Sequence, residues 1–424
     1  MIKLTQRKGA HKAIEFGFIG VGQGGGRIAD ALARLNMKKD NNDAYQAYTV
    51  AAINTNPMDL DVLEKVKHKI ILKGFENGAG RVPDRGTEAF ESNKEMVITE
   101  LKRIFDKVDR ITIIAGLGGG TGTGAFLPLI MAVDQQLQKP FSLLLTIPRL
   151  NESPVEKENA YEKFGILQEN LQYLSGVAII DNEQLFNDYL SNAPGKADDW
   201  LMNANTKIAE VIHEVNLVTK AFKPYRDKHF DAAEFSNTLS APGCITFGKA
   251  EIVLPATSDQ ILLAIKESLE KGRLAGGFDF TKARNIAVSM VAPEYLAKKV
   301  FDIKTLSDIE EGINEFTPKA KYRISAPYVD PLMKKELKDN KLIIYSVVSG
   351  MPLPEKGRLG KLVEEVNSYV DEQDDVLTGS LSFAKKKTAA PQKTPVGALA
   401  NVMNIKPKED DQSGKKKYNF LKEG

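Results

Sequence analysis

The chain has little of what most metal and redox chemistry needs. It has a single cysteine, Cys244, so no intrachain disulfide can form, and no CxxC or Cys/His cluster exists to hold zinc or an iron–sulfur group. That usage fits a reducing, cytoplasmic compartment. The four histidines, His11, His68, His213 and His229, are scattered without ligand spacing, which argues against histidine-based metal or triad chemistry. No stretch approaches the ~18 apolar residues of a membrane span, and Glu15 interrupts the first apolar run of the basic N-terminal segment. We therefore expect neither a secreted nor an integral membrane protein. An excess of one charge is missing too: a net charge of +2 gives the chain as a whole no electrostatic case for nucleic acid or an anionic membrane.

What is present is ample core material, with 42% hydrophobic and 27% charged residues over 424 positions, enough for two or three domains of ordinary size. From Glu15 to about Leu185, β-branched apolar runs (FGFIGVG, YTVAAINT, KIILKG, RITIIAG, FSLLLTIP, GVAIIDN) alternate with longer amphipathic stretches. Strands apolar on both faces and separated by helices predict an α/β fold with a parallel, Rossmann-like sheet whose C-terminal edge binds a ligand. Residues 198–222 predict one long helix with Leu201, Ile208, Val211, Ile212, Val215 and Val218 as its buried stripe. Beyond Cys244 a second, smaller α/β unit is expected. The predicted organisation is a nucleotide-binding domain at 1–197, a linking helix and loop at 198–230, a C-terminal domain at 231–374 and a flexible basic tail at 375–424. From Ser380 to Gly424 ten lysines face four acids with few large apolar residues, so burial cannot offset the entropy of ordering.

Two glycine loops follow strands. Gly20-Val-Gly22-Gln23-Gly24-Gly25 matches a dinucleotide fingerprint, but the next strand ends in Asn54-Thr55-Asn56 without the carboxylate a ribose would want, and no GxxxxGK[ST] occurs. The second loop, Gly118-Gly119-Gly120-Thr121-Gly122-Thr123-Gly124, is far more specific. After an apolar strand and before an apolar helix, its N–H groups and threonine hydroxyls can surround a polyphosphate at a positive helix end.

These motifs resemble the tubulin/FtsZ superfamily, whose signature is GGGTGTG or GGGTGSG. The resemblance runs through the ordered body: Gly22-Gln23-Gly24-Gly25 is similar to the tubulin GQxG, Asn54-Thr55-Asn56 to the NTD loop, Gly78-Ala79-Gly80 to the GAG loop beside the terminal phosphate, and Ile180-Asp181-Asn182-Glu183 to IDNE. It implies a GTP/GDP site with Mg²⁺, Gln23 lying near the metal. It also implies that Asn182 and Asn205 read guanine, that Glu152 meets the ribose, and that Trp200 or Leu201 stacks on the base; for Trp200 a core anchor is an equal alternative.

His229-Phe-Asp231-Ala-Ala-Glu234 resembles the family loop written NxDxxD or DxxE, with His229 departing from the usual Asn. Two carboxylates three residues apart lie on one side of a helical turn and can orient a water; the plain alternative is an acidic helix start. The resemblance implies that they act on the GTP of the next subunit, so head-to-tail homopolymers complete the GTPase. Gln23, IDNE, Glu234 and the basic tail look most like TubZ, the DNA-segregation branch of plasmids and phages. There a small DNA-binding adaptor engages the tail at a centromere-like site, and DNA contact is indirect. A division or cell-shape homologue is the alternative within the superfamily, and a nicotinamide-dependent oxidoreductase the alternative from another class.

Overall fold

The computed structural model describes residues 11–39, 43–192, 199–225, 229–337, 340–377, 406–407 and 418–419. The segment VGALANVMNI (396–405), whose sequence predicts a short amphipathic helix within the tail, lies outside them. Among the described residues eleven strands form one sheet: Phe16–Val21 (β1), Thr49–Asn54 (β2), His68–Ile71 (β3), Arg110–Gly116 (β4), Phe141–Ile147 (β5), Val177–Asp181 (β6), Lys223–Pro224 (β7), Cys244–Val253 (β8), Asn285–Pro293 (β9), Tyr322–Asp330 (β10) and Lys341–Met351 (β11). Their order is β3-β2-β1-β4-β5-β6-β8-β11-β9-β10-β7.

The first six strands pair in parallel, as buried β-branched runs separated by helices require. The second half is mixed, since β11 runs antiparallel to both β8 and β9. The two halves share a ladder: Cys244 and Ile245 at the start of β8 pair in parallel with Val177 and Ala178 of β6. Two separate α/β units were the sequence expectation; hydrogen bonding runs on between them because Cys244 and Ile245 are themselves apolar and buried.

Side chains alternate across the sheet. Ile19 and Val21 face one core with the helices Pro83–Ile104 (α2), Thr121–Ala132 (α3) and Pro154–Asn170 (α4), while Phe18 faces the other with Gly22–Ala33 (α1), Asp199–Ala221 (α6) and Ala232–Leu239 (α7). Asn182–Asn192 forms α5, Ser258–Glu270 α8, Ile303–Phe316 α9 and Arg358–Leu377 α10. On α6, Ile208, Val211, Ile212, Val215 and Val218 are buried as predicted. Leu201 is not part of that stripe; it sits half-buried near the start of the helix. At 1.5 Å per residue the 23 residues of α6 span about 34 Å, enough to run past the whole depth of the sheet.

Candidate functional site

The loops leaving β1, β2, β4, β5 and β6 at their C-terminal ends wall a cleft of about 480 Å³. Gly22, Gln23 and Gly24 come from the first loop, Asn54 from the second, Gly78, Ala79 and Gly80 from the loop after β3, and Gly118, Gly119, Gly120, Thr121 and Gly122 from the glycine loop. Glu152, Asn182, Leu201 and Asn205 complete the wall. Residues more than 180 positions apart thus converge on one concave surface.

Helices α1 and α3 both begin here, and their first N–H groups and positive dipole ends suit an anion. The two loops meet backbone to backbone: Gly22 has φ +69°, and a Cβ there would stand 2.7 Å from the Gly122 nitrogen. The Thr55 and Thr121 hydroxyls share a 2.8 Å hydrogen bond that ties the second loop to the glycine loop. Asp181 lies at the end of β6, where its Oδ1 accepts from the N–H groups of Glu183 (2.9 Å) and Gln184 (3.0 Å), fixing the first turn of α5 and so the place of Asn182. Burial pushes the Glu152 carboxyl above its ordinary range.

Three expected residues do not line the cleft. Gly25 packs α1 on the sheet, since a Cβ there would lie 2.2 Å from the Ile114 carbonyl oxygen. Thr123 is fully buried, and its hydroxyl donates back to Gly116 O at 3.4 Å. Trp200 sits edge-on to Phe186, ring centroids 5.2 Å apart, with the Arg149 guanidinium 5.0 Å from its own ring. Of the two candidates for stacking, the cleft holds Leu201 alone.

Sequence reasoning missed Asp59, Asn159 and Arg27. Asp59 lines the cleft and accepts from Gln23 Nε2 at 3.1 Å and from Asn54 Nδ2 at 3.2 Å, so one carboxylate orients two of the expected amides. Asn159, buried on α4, donates from Nδ2 to Gly118 O and to Arg81 O, both at 3.0 Å, locking the glycine loop to the Gly78–Gly80 loop. Arg27 and Arg81 add two cations to the wall.

Asp231 and Glu234 lie elsewhere. They start α7 as a capping box: Asp231 Oδ1 accepts from the Glu234 N–H at 2.8 Å and Glu234 Oε2 from the Asp231 N–H at 2.9 Å. Asp231 is exposed and Glu234 half-buried, and with His229, Glu310 and Arg323 they line a separate cavity of about 390 Å³. The Phe235 ring is 6.4 Å from Phe16 at the start of β1, and Ser240, at the other end of α7, accepts from Arg110 at the start of β4 at 2.5 Å. Helix α7 therefore sits at the N-terminal edge of the strands whose C-terminal edge makes the cleft.

A family model for the GTPase domain of the tubulin/FtsZ family matches residues 15–189, and one for the C-terminal domain of the tubulin-like protein TubZ matches residues 228–355. The tubulin-like protein TubZ of Bacillus cereus is 33% identical over 378 residues, covering 85% of this chain and 84% of the relative. The chain belongs to the TubZ family. Its fold is that of a GTPγS-form protofilament of Bacillus thuringiensis serovar israelensis TubZ, with TM-score 0.73, 24% identity and coverage of 87% of this chain and 95% of that one. CetZ2 from Haloferax volcanii, as a GTPγS-bound protofilament, aligns with TM-score 0.66 at 19% identity over 85% of this chain.

The chain is accordingly a tubulin-like GTPase of the TubZ type. The GTPase-domain match spans both glycine loops and overturns the nicotinamide alternative. Among the described residues no helix is long and apolar enough to cross a membrane.

Proposed function

We propose that the chain polymerises head to tail and hydrolyses GTP in a site shared by two subunits, the cleft of one and the Asp231–Glu234 edge of the next. The observation that carries this reading is the placement of cleft and carboxylates on opposite edges of one sheet. A single chain cannot bring them together, whereas stacking one copy on another does. Such an interface is heterologous and open, so it yields filaments. Solved relatives described as protofilaments support it.

In this reading Asn182 and Asn205 bond the guanine edge, Leu201 covers its face and Glu152 meets the ribose. The N–H groups of residues 22–24 and 118–122 hold the polyphosphate, with Gly78–Gly80 beside its end. The proposal keeps the functional units expected from the sequence, with 1–197 to bind nucleotide, 198–230 to link, 231–374 to present the carboxylates and 375–424 as a tail.

The donor set fits Mg²⁺: Gln23, Thr55 and Asp59 offer hard oxygens, and among the described residues no cluster of three or more His, Cys, Asp or Glu makes a self-contained cage. When bound, the ion neutralises phosphate charge. The residues themselves do the rest. Each carboxylate has one oxygen in the capping box and a second that can hold the attacking water in line with the terminal phosphorus. Fixed N–H dipoles at the α1 and α3 ends receive the charge that develops on the phosphoryl oxygens.

The filament's role is, we infer, segregation of plasmid or phage DNA through a small DNA-binding adaptor on the tail. The match of the TubZ C-terminal domain to residues 228–355 favours this over division. The catalytic reading is tested with Asp231→Asn, which keeps a good helix cap while removing the charge. GTP affinity and light-scattering assembly should stay within about twofold, and phosphate release should fall roughly 100-fold. Unchanged turnover would sink the shared site.

A further inference from the structure

Helix α10 belongs to the second half of the chain, yet its first turns are buried against the cleft wall of the first half. Arg358 is 5% exposed. Its Nε donates to Pro148 O at 3.0 Å, and its Nη1 and Nη2 donate to the two carboxylate oxygens of Glu365, two helical turns further on, at 2.9 and 3.1 Å. Glu365 Oε2 also pairs with Lys157 Nζ at 3.0 Å, and Lys157, 3% exposed, donates to Leu150 O at 2.6 Å. Two buried cations sharing one carboxylate therefore hold two carbonyls of the loop 148–152.

That loop ends in Glu152, and both Pro148 and Glu152 line the nucleotide cleft. The Arg358 charge also opposes the upward push that burial gives to Glu152 and, across the same wall, to Asp181. The guanidinium thus lies within electrostatic reach of the carboxylates at the ribose and base end of the cleft, while its own hydrogen bonds go to Glu365 and Pro148. Burying two cations with half the anionic charge is costly unless their geometry is fixed, and the bidentate fork to Glu365 fixes it.

We propose that Arg358, held by Glu365, is a positioning residue that sets the 148–152 loop and keeps Glu152 available to the ribose. The proposal rests on Glu152 being the ribose contact. Without the Glu365 charge, Glu152 becomes the competing partner for Arg358 and is drawn off the sugar. The effect should therefore appear as lost ribose discrimination and not as lost chemistry.

The experiment compares the affinities of the full-length chain for GTP, 2′-deoxy-GTP and 3′-deoxy-GTP in Glu152→Gln, Glu365→Gln and Arg358→Met, with turnover at saturating GTP. Glu152→Gln identifies the hydroxyl at stake by weakening GTP roughly tenfold and leaving the matching deoxy nucleotide unchanged. Glu365→Gln should reproduce that selective loss with turnover at saturation retained; Arg358→Met, which frees Pro148 O but leaves no guanidinium to draw Glu152 away, should show a smaller selective loss. Equal weakening of all three nucleotides by Glu365→Gln, or no weakening, overturns the positioning role. If Glu152→Gln itself shows no selectivity, the ribose reading fails and takes the proposal with it. Should Arg358→Met not fold, the Glu365→Gln comparison still decides.

Discussion

The two edges of the sheet are built on opposite plans. The C-terminal edge works through missing side chains: glycines let backbone approach backbone, and N–H groups line a cleft that one chain completes by itself. The N-terminal edge works through side chains that are present, two carboxylates that cap the start of a helix beside a cavity. A surface defined by backbone is complete once the chain folds, whereas two carboxylates gain a role only when a ligand is brought to them. Under the proposed shared site, this difference would let one chain hold nucleotide by itself and leave hydrolysis to the junction with its neighbour.

Mixing two defective chains would break that comparison most sharply. Asp231→Asn combined with Glu234→Gln leaves the cleft intact. Gly119 lines the cleft, and a Cβ there meets nothing within 4 Å, so Gly119→Glu puts a carboxylate in the phosphate site without straining the fold. Each chain alone should hydrolyse GTP roughly 100-fold more slowly than the unmodified protein. A one-to-one mixture should recover on the order of a tenth of normal turnover, because an intact cleft then meets intact carboxylates at some junctions. A mixture no faster than its components would mean that cleft and carboxylates do not act across an interface.

Adding a methyl group to the first edge and trimming the second offers a smaller contrast, read as stability. At Gly25→Ala the new Cβ would stand 2.2 Å from the Ile114 carbonyl oxygen, so α1 must lift off β4. A loss of about 1–3 kcal/mol or more is expected, with weakened GTP binding, in denaturant titration. Asp231→Ala removes only a cap and should cost about 1 kcal/mol with GTP binding kept. Equal costs would undo the distinction.

This contrast also marks what was legible in the sequence. The strands ended in glycine or asparagine where the ligand edge lies, and seven small residues in a row have few structural uses, so the cleft could be read from local pattern. Taken without the other loops, the DxxE segment favoured a plain acidic helix start over a water-orienting pair, and the structure shows that it is at least the former, a capping box. Asp59, Asn159 and Arg358 were not legible because their meaning lies in partners 36, 41 and 210 positions away. Nothing within a turn of helix around each residue encodes those meetings. Trp200 was open in a different way: its sequence position allowed a stacking ring or a core anchor equally, and in the structure the ring packs against Phe186 with Arg149 beside it.

The smallest expected effect separates Trp200 from its neighbour on α6. Leu201→Ala removes apolar contact from the cleft wall and should weaken GTP and GDP about threefold to tenfold, in proportion to the area lost. Trp200→Phe keeps an aromatic ring against Phe186 and should leave both affinities within about twofold while lowering stability by about 1 kcal/mol. The chain has one tryptophan, so its emission reports this position alone. With Trp200 packed behind the wall, GDP should change that emission only slightly, whereas a ring stacked on guanine would be strongly quenched. Strong quenching, or a Trp200→Phe affinity loss exceeding that of Leu201→Ala, would place the indole against the base after all and would require the start of α6 to turn when nucleotide enters.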